Sequence, residues 1–505
     1  MAPLTITEKI IAAHNPQGAV QAGGIATVTP DVLMLNDVSG PLAFEQFASM
    51  GALHPAHPGQ VVLVADHFAP ARDTDSATAI GTLRNFARTH GIRHFYEPGR
   101  GGIEHTLLDE LGLVGHGSIV FGADSHTCTA GAFNALGIGF GSTDLAAALA
   151  TGQLWLRVPD SIRVTLTGKP GPYVTGKDVI LTLLARIGPD GADGAALEFG
   201  GPGMAALSIH ERMAVANMAV EAGADTCAFE GDATSHAHMT QRGLASRPAV
   251  LPDPGATYRQ TIAIDLAALV PMVARPPSPA GCVPVTELAG QRVDQVYIGN
   301  CANGTMTDLR QATAILRGRT VAPGVRLIVV PATQRIWREA LAEGLLDALA
   351  KAGAAISTPT CGACFGGHMG ILAAGEVAIA TTNRNFRGRM GDPDSQVFLA
   401  SAWVAAAAAV AGRIVPPDTV APTQPACPRD PSCPPPSFRA RSTVWVTTST
   451  PTPSCPAATS PCATPPPSAP TASRPSIPVS APASAPAISS SPAAPSAAVR
   501  HASMP

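Results

Sequence analysis

The stretch that decides the fold reads Pro359-Thr360-Cys361-Gly362-Ala363-Cys364-Phe365-Gly366-Gly367-His368-Met369-Gly370. It places two thiols three positions apart among glycines, and Cys301 lies sixty positions before Cys361 in a second glycine-bounded loop, Gly299 to Gly304. Glycine lets a bulky inorganic group approach the backbone closely. The spacing leaves three interpretations open: an iron–sulfur cluster on the three thiols, a zinc site that adds His368, or a redox pair of Cys361 and Cys364.

The composition describes an apolar, nearly neutral chain. Its 505 residues are 46% hydrophobic and 14% charged with a net charge of -3, so a large core is possible and nothing predicts nucleic-acid binding. Met1 to Lys9 lacks the basic segment and apolar run of a signal peptide, and the apolar run Val404 to Val410 is too short to cross a bilayer. We predict a cytoplasmic protein without membrane contact, whose thiols are ligands or core residues rather than disulfides.

Residues 1–416 alternate between short apolar runs and helical patterns, which is typical of α/β layers. Open sheets of this class build their sites just after the strands. Polar motifs do follow predicted strands, as where Val61 to Ala65 precedes Asp66-His67. The proline-rich run Pro271 to Pro284 predicts a linker, and Ile209 to Ala222 predicts one helix that carries Asn217 and Glu221 on the same face.

Three histidines have acidic neighbours in the sequence, in Asp66-His67, Glu104-His105 and Asp124-Ser125-His126. A carboxylate partner fixes the tautomer of a histidine and raises its pKa, which suits acid–base work. The turn from Asn383 to Arg389 offers guanidinium groups, which bind carboxylates in a bidentate manner. Taken singly, each histidine is more often a satisfied loop residue and the turn is as often a solvated one. Together they indicate a site for a small acidic substrate.

These stretches together resemble the aconitase superfamily, specifically the large subunits of 3-isopropylmalate dehydratase and homoaconitase-like enzymes. The resemblance runs in order from about Leu4 to Pro416. It is carried by the Cys301 loop, Val120 to Thr129, Gly139 to Asp144, Asn217 to Ala224, Cys361 to Gly370, and Thr382 to Met390.

The resemblance implies three α/β/α sub-domains, residues 1–160, 161–284 and 285–416, around a central [4Fe-4S] cluster held by Cys301, Cys361 and Cys364, and it argues against zinc. The fourth iron would bind a 2-hydroxy di- or tricarboxylate, from which water is eliminated and added back. His67 with Asp66 would protonate the departing hydroxyl. Two further buried acid pairs would surround the iron-bound water, His105 with Asp124 and His126 with Glu221. The implied substrate-binding residues are Asn36, Asp37, Ser125, Asn217, Asn383, Arg384 and Arg389.

The chain also departs from the superfamily's pattern. Asn36 stands where relatives often have His or Gln, and Asn300-Cys301-Ala302-Asn303-Gly304 replaces the commoner Ser-Cys-Thr-Asn-Ser. In the superfamily, the serine that removes the carbon-bound proton and another substrate arginine lie on a separate swivelling domain. Nothing in residues 1–416 resembles that domain. We therefore expect the chain to be inactive alone and to need a small-subunit partner, in a heterodimer or heterotetramer.

The implied activity is that of a 3-isopropylmalate dehydratase in leucine biosynthesis. Three related substrates stay open, namely homoaconitate, dimethylmalate and maleate. An alternative of another class is a cluster-bearing RNA-binding or regulatory protein, which the lack of basic character disfavours. A structural zinc protein is a third alternative.

The last 89 residues, 417–505, contain 23 of the 49 prolines and four of the ten cysteines. A Pro-, Ser- and Ala-rich segment without periodicity cannot bury enough apolar surface to offset chain entropy, which predicts a disordered tail. A second interpretation is equally open. Small subunits of this superfamily carry a Gly-Asp-Asp-Val-Asp-Thr-Asp-like segment near their start. GC-rich codons for that segment, read in a shifted frame, encode Val446-Thr447-Thr448-Ser449-Thr450-Pro451.

Overall fold

The fold is described from a computed structural model that covers residues 2–18, 20–244 and 247–420. The tail predicted to be disordered from residue 417 instead begins with a 3₁₀ turn, Pro417–Thr419, in which Pro417 is buried, and from residue 421 onward it lies outside the described residues, where its disorder and its shifted reading frame stay predictions. The described residues all belong to one compact unit. None of the described helices has the length and apolar character needed to span a bilayer.

Eighteen strands are present in the described residues, and they confirm the predicted α/β class. They are β1 Ile25–Val28, β2 Val32–Asn36, β3 Val61–Val64, β4 His94–Tyr96, β5 Ile119–Gly122, β6 Leu136–Gly139, β7 Leu154–Arg157, β8 Ser161–Thr167, β9 Ala196–Gly200, β10 Thr226–Phe229, β11 Gln260–Asp265, β12 Met272–Ala274, β13 Cys282–Pro284, β14 Gln295–Ile298, β15 Arg326–Val329, β16 Ala354–Ile356, β17 Val377–Ala380 and β18 Gln396–Ala400.

Twelve α-helices accompany the strands within the described residues. They are α1 Ile6–His14, α2 Gly40–Ser49, α3 Thr74–His90, α4 Glu104–Glu110, α5 Ser142–Thr151, α6 Gly176–Ile187, α7 Ile209–Asn217, α8 Ala233–Gln241, α9 Met306–Leu316, α10 Gln334–Ala342, α11 Leu345–Ala352 and α12 Ala402–Ala411. The Ala-rich α12 contains the apolar run noted above, and most of its residues are buried.

The strands form three main sheets. A five-stranded sheet has the order β4-β3-β2-β5-β6, a four-stranded sheet β10-β9-β8-β11, and a seven-stranded sheet β13-β12-β18-β17-β14-β15-β16. The first two are parallel throughout, and β1 pairs with β7 in a separate antiparallel ribbon. Strands of parallel sheets buried on both faces read as continuous apolar runs, as β3 does.

Two of the local predictions are wrong. The run 271–284 is not a linker, because β12 and β13 pair antiparallel, with Met272 opposite Pro284, at the edge of the seven-stranded sheet. An edge strand tolerates proline since one side of it needs no ladder donor. The helix predicted over 209–222 ends at Asn217 and continues as a 3₁₀ turn, Met218–Ala222.

The sub-domain boundaries stay predictions, and sheet membership favours a second boundary before Met272 rather than after Pro284. The carboxyl ends of β3 and β14 are followed by the two kinds of predicted motif, Asp66-His67 and Cys301. Loops of the first and third sheets contact each other there, since the Cys361 N–H donates to the Asp66 carbonyl at 2.8 Å. The site therefore lies where the carboxyl ends of parallel strands from two sheets meet.

Candidate active site

Asp37 organises the first acid–histidine loop. Its Oδ1 accepts from the N–H groups of Asp66 at 3.1 Å and His67 at 3.0 Å, and its Oδ2 accepts from Phe68 at 2.7 Å. Asp66 in turn bonds His67 Nδ1 through its Oδ1 at 2.7 Å. Burial lowers the pKa of His67, but the charge and hydrogen bond of Asp66, with Glu104 and Asp124 nearby, raise that pKa to about 10. His67 is therefore a buried, protonated imidazole.

Asp124 joins the other two predicted histidines. Its Oδ1 lies 3.0 Å from His105 Nε2 and accepts the backbone N–H of His126 at 2.7 Å. His126 Nε2 lies 2.9 Å from Glu221 Oε1. Burial raises the pKa of Asp124, but the hydrogen bonds of both histidines hold that pKa well below its usual range. The two predicted pairs thus share one network, in which Asp124 is a carboxylate anion.

The turn after β17 closes this network from the third sheet. Arg384 Nε donates to Glu221 Oε1 at 2.7 Å, and Arg389 Nε donates to the Cys364 carbonyl at 2.9 Å. Arg387, the third guanidinium of the turn, is exposed and pairs with Asp394 instead. Ser125, partly exposed, begins the 3₁₀ helix Ser125–Phe133.

The three predicted ligand thiols are buried, with exposed fractions of 5% for Cys301, 7% for Cys361 and 3% for Cys364. Cys301 Sγ accepts from two side-chain amides, Asn217 Nδ2 at 3.1 Å and Asn383 Nδ2 at 3.0 Å. Burial and the charge of Cys364 raise the pKa of Cys301 well above its ordinary value, and these two amide donors oppose that shift. The hydrogen bond between Cys361 and Cys364 raises the pKa of the former and lowers the pKa of the latter to about 5.

The geometry argues against a zinc tetrahedron. His368 Nε2 bonds the Pro70 carbonyl at 2.6 Å. In the described part of the chain, sets of three potential ligand atoms within 4.8 Å of one another occur at Asp37, Asp66 and His67 and at His67, Glu104 and Asp124, without any cysteine. Zinc–sulfur bonds of ~2.3 Å need sulfur atoms closer together than this limit. Because Cys301, Cys361 and Cys364 do not form such a set among the described residues, they suit a group larger than one metal ion, and soft thiolates are the donors that iron–sulfur clusters require.

Glu104 is a residue of this site to which the sequence assigned no role, since it was noted only as the neighbour of His105. It is 1% exposed, and its Oε1 accepts from Asn36 Nδ2 at 3.1 Å, while its Oε2 is buried without a hydrogen-bond partner. Burial and the charges of Asp66 and Asp124 raise its pKa well above the usual value. Asn36 thus donates to an acid whose pKa is raised, and an acidic residue beside His105 was the available signal.

Comparison with known proteins gives one consistent result. The sequence matches the Aconitase family (aconitate hydratase) over residues 8–292 and 286–412. It is 52% identical over 415 residues, 82% of this chain and 98% of the relative, to 3-isopropylmalate dehydratase large subunit 2 of Rubrobacter xylanophilus. It is 51% identical, over 82% of this chain and 99% of the relative, to the 3-isopropylmalate dehydratase large subunit of Moorella thermoacetica. The counterpart in Nitratidesulfovibrio vulgaris is 49% identical over the same shares. The chain belongs to the aconitase family.

Proposed function

We propose that this chain is the large subunit of a [4Fe-4S] hydro-lyase that isomerises a 2-hydroxy di- or tricarboxylate, acting as a 3-isopropylmalate dehydratase in leucine biosynthesis. The names of the relatives support the activity and the subunit. One contact carries the proposal, the 2.8 Å bond from the Cys361 N–H to the Asp66 carbonyl. It ties the thiol loop directly to the loop of the protonated His67, so both halves of the chemistry would act on one small substrate.

Cys301, Cys361 and Cys364 would hold the cluster, with the amides of Asn217 and Asn383 donating to one ligand sulfur. When bound, the cluster supplies a Lewis-acidic iron that lacks a protein ligand and polarises the substrate's hydroxyl and carboxylate.

His67 is the group to which we assign protonation of the departing hydroxyl. Its Nδ1 is held by Asp66 at 2.7 Å, which leaves Nε2 as the atom that can donate toward the substrate. Because its pKa is about 10, with burial opposing and Asp66 favouring the charged form, the ring carries its proton at neutral pH. Asp37 holds the loop through backbone bonds and so keeps the ring in place.

The remaining polar groups are assigned to holding water and substrate. Asp124, with His105 and His126, forms a network that can orient the water that leaves and returns. Arg384 is fixed through Nε by Glu221, so its other N–H groups can meet a substrate carboxylate in a bidentate manner. Arg389 is assigned to a second carboxylate, and Ser125 and Asn36 to the edge of the same pocket.

The proton-abstracting serine would come from a small subunit, which makes the active species a heterodimer or heterotetramer of the cytoplasm. The test is an assay of the purified, cluster-reconstituted chain with and without a co-expressed small subunit, on isopropylmalate, homoaconitate, dimethylmalate and maleate. We expect turnover of isopropylmalate only with the partner. Full turnover by this chain alone contradicts the need for a partner, and preference for another of these acids contradicts the assigned substrate.

A further inference from the structure

Lys177 is a fully buried lysine that the proposed function does not use. It is 0% exposed and lies at the second residue of α6. The preceding residue, Gly176, packs so closely against the Glu211 carbonyl oxygen that a Cβ would collide with it, so only glycine permits this packing. Asp178, also 0% exposed, caps the helix by accepting from the Thr175 N–H at 2.8 Å. The start of α6 therefore carries the Lys177 side chain into the interior.

The ammonium group of Lys177 binds the backbone just before Asn383, whose side-chain amide donates to a thiol. Its Nζ donates to the carbonyls of Thr381 at 2.9 Å and Thr382 at 2.8 Å. The next residue, Asn383, donates from Nδ2 to Cys301 Sγ at 3.0 Å. Lys177 thus holds the end of β17 at the point where it presents Asn383 to the ligand sulfur.

The charge of Lys177 needs an anion that its hydrogen bonds do not supply. In the part of the chain described, the hydrogen-bond acceptors of Nζ are two neutral carbonyls, and burying a cation without an opposite charge is costly. Burial lowers the pKa of Lys177 to about 8, and Cys301 and Cys364 come first among the groups whose charge acts against that effect. The groups whose negative charge would face this cation are therefore the ligand thiols together with Asp308 and Glu221.

We propose that Lys177 is a positioning residue and counter-charge for the cluster, acting through the Thr381–Thr382 backbone on Asn383 and electrostatically on Cys301 and Cys364. This inference rests on the proposed function, since it needs a cluster on the three thiols. A cation facing an anionic group stabilises its reduced form, and partners of ligands commonly change metal affinity ~10- to 100-fold when they are removed.

The test compares Lys177→Gln, which keeps an N–H donor and removes the charge, with Lys177→Met, which removes both. The matched control is Lys351→Gln, since Lys351 is exposed on α11 and paired with Asp347 at 2.8 Å. Each purified, reconstituted chain is measured for its cluster midpoint potential and for the rate at which a chelator removes iron. Thermal unfolding of the cluster-free chains, followed by circular dichroism, reports on the fold separately.

We expect a more negative midpoint potential and iron loss ~10-fold faster in Lys177→Gln, with Lys351→Gln unchanged. A midpoint potential and loss rate equal to wild type in Lys177→Gln overturn the inference, even if its unfolding temperature falls. If Lys177→Met does not fold, Lys177→Gln and Lys177→Arg decide, since the arginine variant must keep the wild-type potential. A wild-type chain that takes up no cluster contradicts the proposed function itself, and that outcome is distinguishable by its iron content.

Discussion

Two buried glutamates of this protein have opposite surroundings. Glu198, 0% exposed in β9, accepts five hydrogen bonds, from the N–H groups of Ile6 and Thr7 and from the hydroxyls of Thr7, Ser161 and Tyr258. Glu104, 1% exposed at the start of α4, accepts one from Asn36, and its Oε2 has no partner. Both carboxyl groups are equally far from solvent, so burial alone does not explain the difference.

The difference separates scaffold from site. The donors around Glu198 include the first two N–H groups of α1, where a carboxylate is favourable because these groups lack helix partners. Glu104 lies instead among Asp66 and Asp124, whose charges oppose its ionisation. Buried atoms without a partner also occur away from the site, as at Thr182 Oγ1 and Ser401 Oγ, so Glu104 is set apart by its acidic neighbours together with its missing partner. This contrast predicts different consequences for substitutions in the two regions.

The largest effect is expected on turnover, at His67. We expect His67→Gln to lower kcat ~10²- to 10⁴-fold in the complex with the small subunit, because the proton donor is lost. The free energy of unfolding should fall as well, because the variant leaves the buried Asp66 without its charged partner, so kcat is compared on protein that is still folded. Steady-state kinetics and denaturant titration measure the two, with His94→Gln, a histidine bonded to Tyr96, as the control. An unchanged kcat contradicts the assignment.

Glu198→Ala should lower stability without lowering turnover. Removing the carboxylate leaves several buried donors unpaired, at about 1–3 kcal/mol each, so we expect a loss of about 3–5 kcal/mol in the free energy of unfolding. Turnover of the protein that remains folded should stay near wild type. Urea unfolding followed by circular dichroism measures the loss. A loss below about 1 kcal/mol shows that the five contacts do not hold α1, which breaks the contrast with Glu104.

Glu104→Gln is expected to stabilise. The pKa of Glu104 is raised by burial and by Asp66 and Asp124, so above its ordinary value of ~4.3 the folded state keeps a proton that the unfolded state has lost. Stability from this group is therefore present at low pH and is lost as pH rises toward the folded pKa. Glutamine has no proton to keep, so the variant should gain about 1–2 kcal/mol at pH 8 relative to pH 5. A variant whose pH profile parallels wild type contradicts this.

Glu110→Gln should also stabilise the protein as pH rises, by a smaller amount than Glu104→Gln. Burial raises the pKa of Glu110 to about 7, although the Thr333 hydroxyl bonded to it at 2.6 Å opposes the shift. Its contribution is present below the ordinary value and falls away as pH rises to about 7. Glu110 is only half-buried, so solvent screening should limit the gain to less than about 1 kcal/mol at pH 8. Unfolding between pH 5 and 8 tests it, and a stability that rises with pH in wild type alone would contradict the sign.

Features close together in the sequence were the predictable ones. The Asp66-His67 motif and the strand before it are local patterns: the strand predicted at Val61 to Ala65 is observed at Val61–Val64, and Asp66 bonds His67 Nδ1. The bond between His126 and Glu221, 95 positions apart, came from the resemblance and not from spacing. The hairpin of β12 and β13 was missed because its strands have only three residues each and lie in proline-rich sequence.

Contacts that depend on packing between sheets could not be predicted. Lys177 meets the Thr381 carbonyl across 204 positions, and Glu198 meets Thr7 across 191. A buried lysine or glutamate looks like a surface residue in the sequence, since both usually are. Only the tertiary structure shows which buried charged residue contacts a helix end, a thiol or another acid.

The central claim is that Cys301, Cys361 and Cys364 together hold an iron–sulfur cluster. The most direct measurement is iron, sulfide and zinc content of the reconstituted chain, with its absorbance spectrum, for wild type, Cys361→Ser and the control Cys282→Ser. Cys282 is half-buried and bonds the Pro279 carbonyl at 2.7 Å. We predict about four irons and a broad band near ~400 nm in wild type and Cys282→Ser, both largely lost in Cys361→Ser. One zinc per chain, or an iron content that Cys361→Ser leaves unchanged, contradicts the claim.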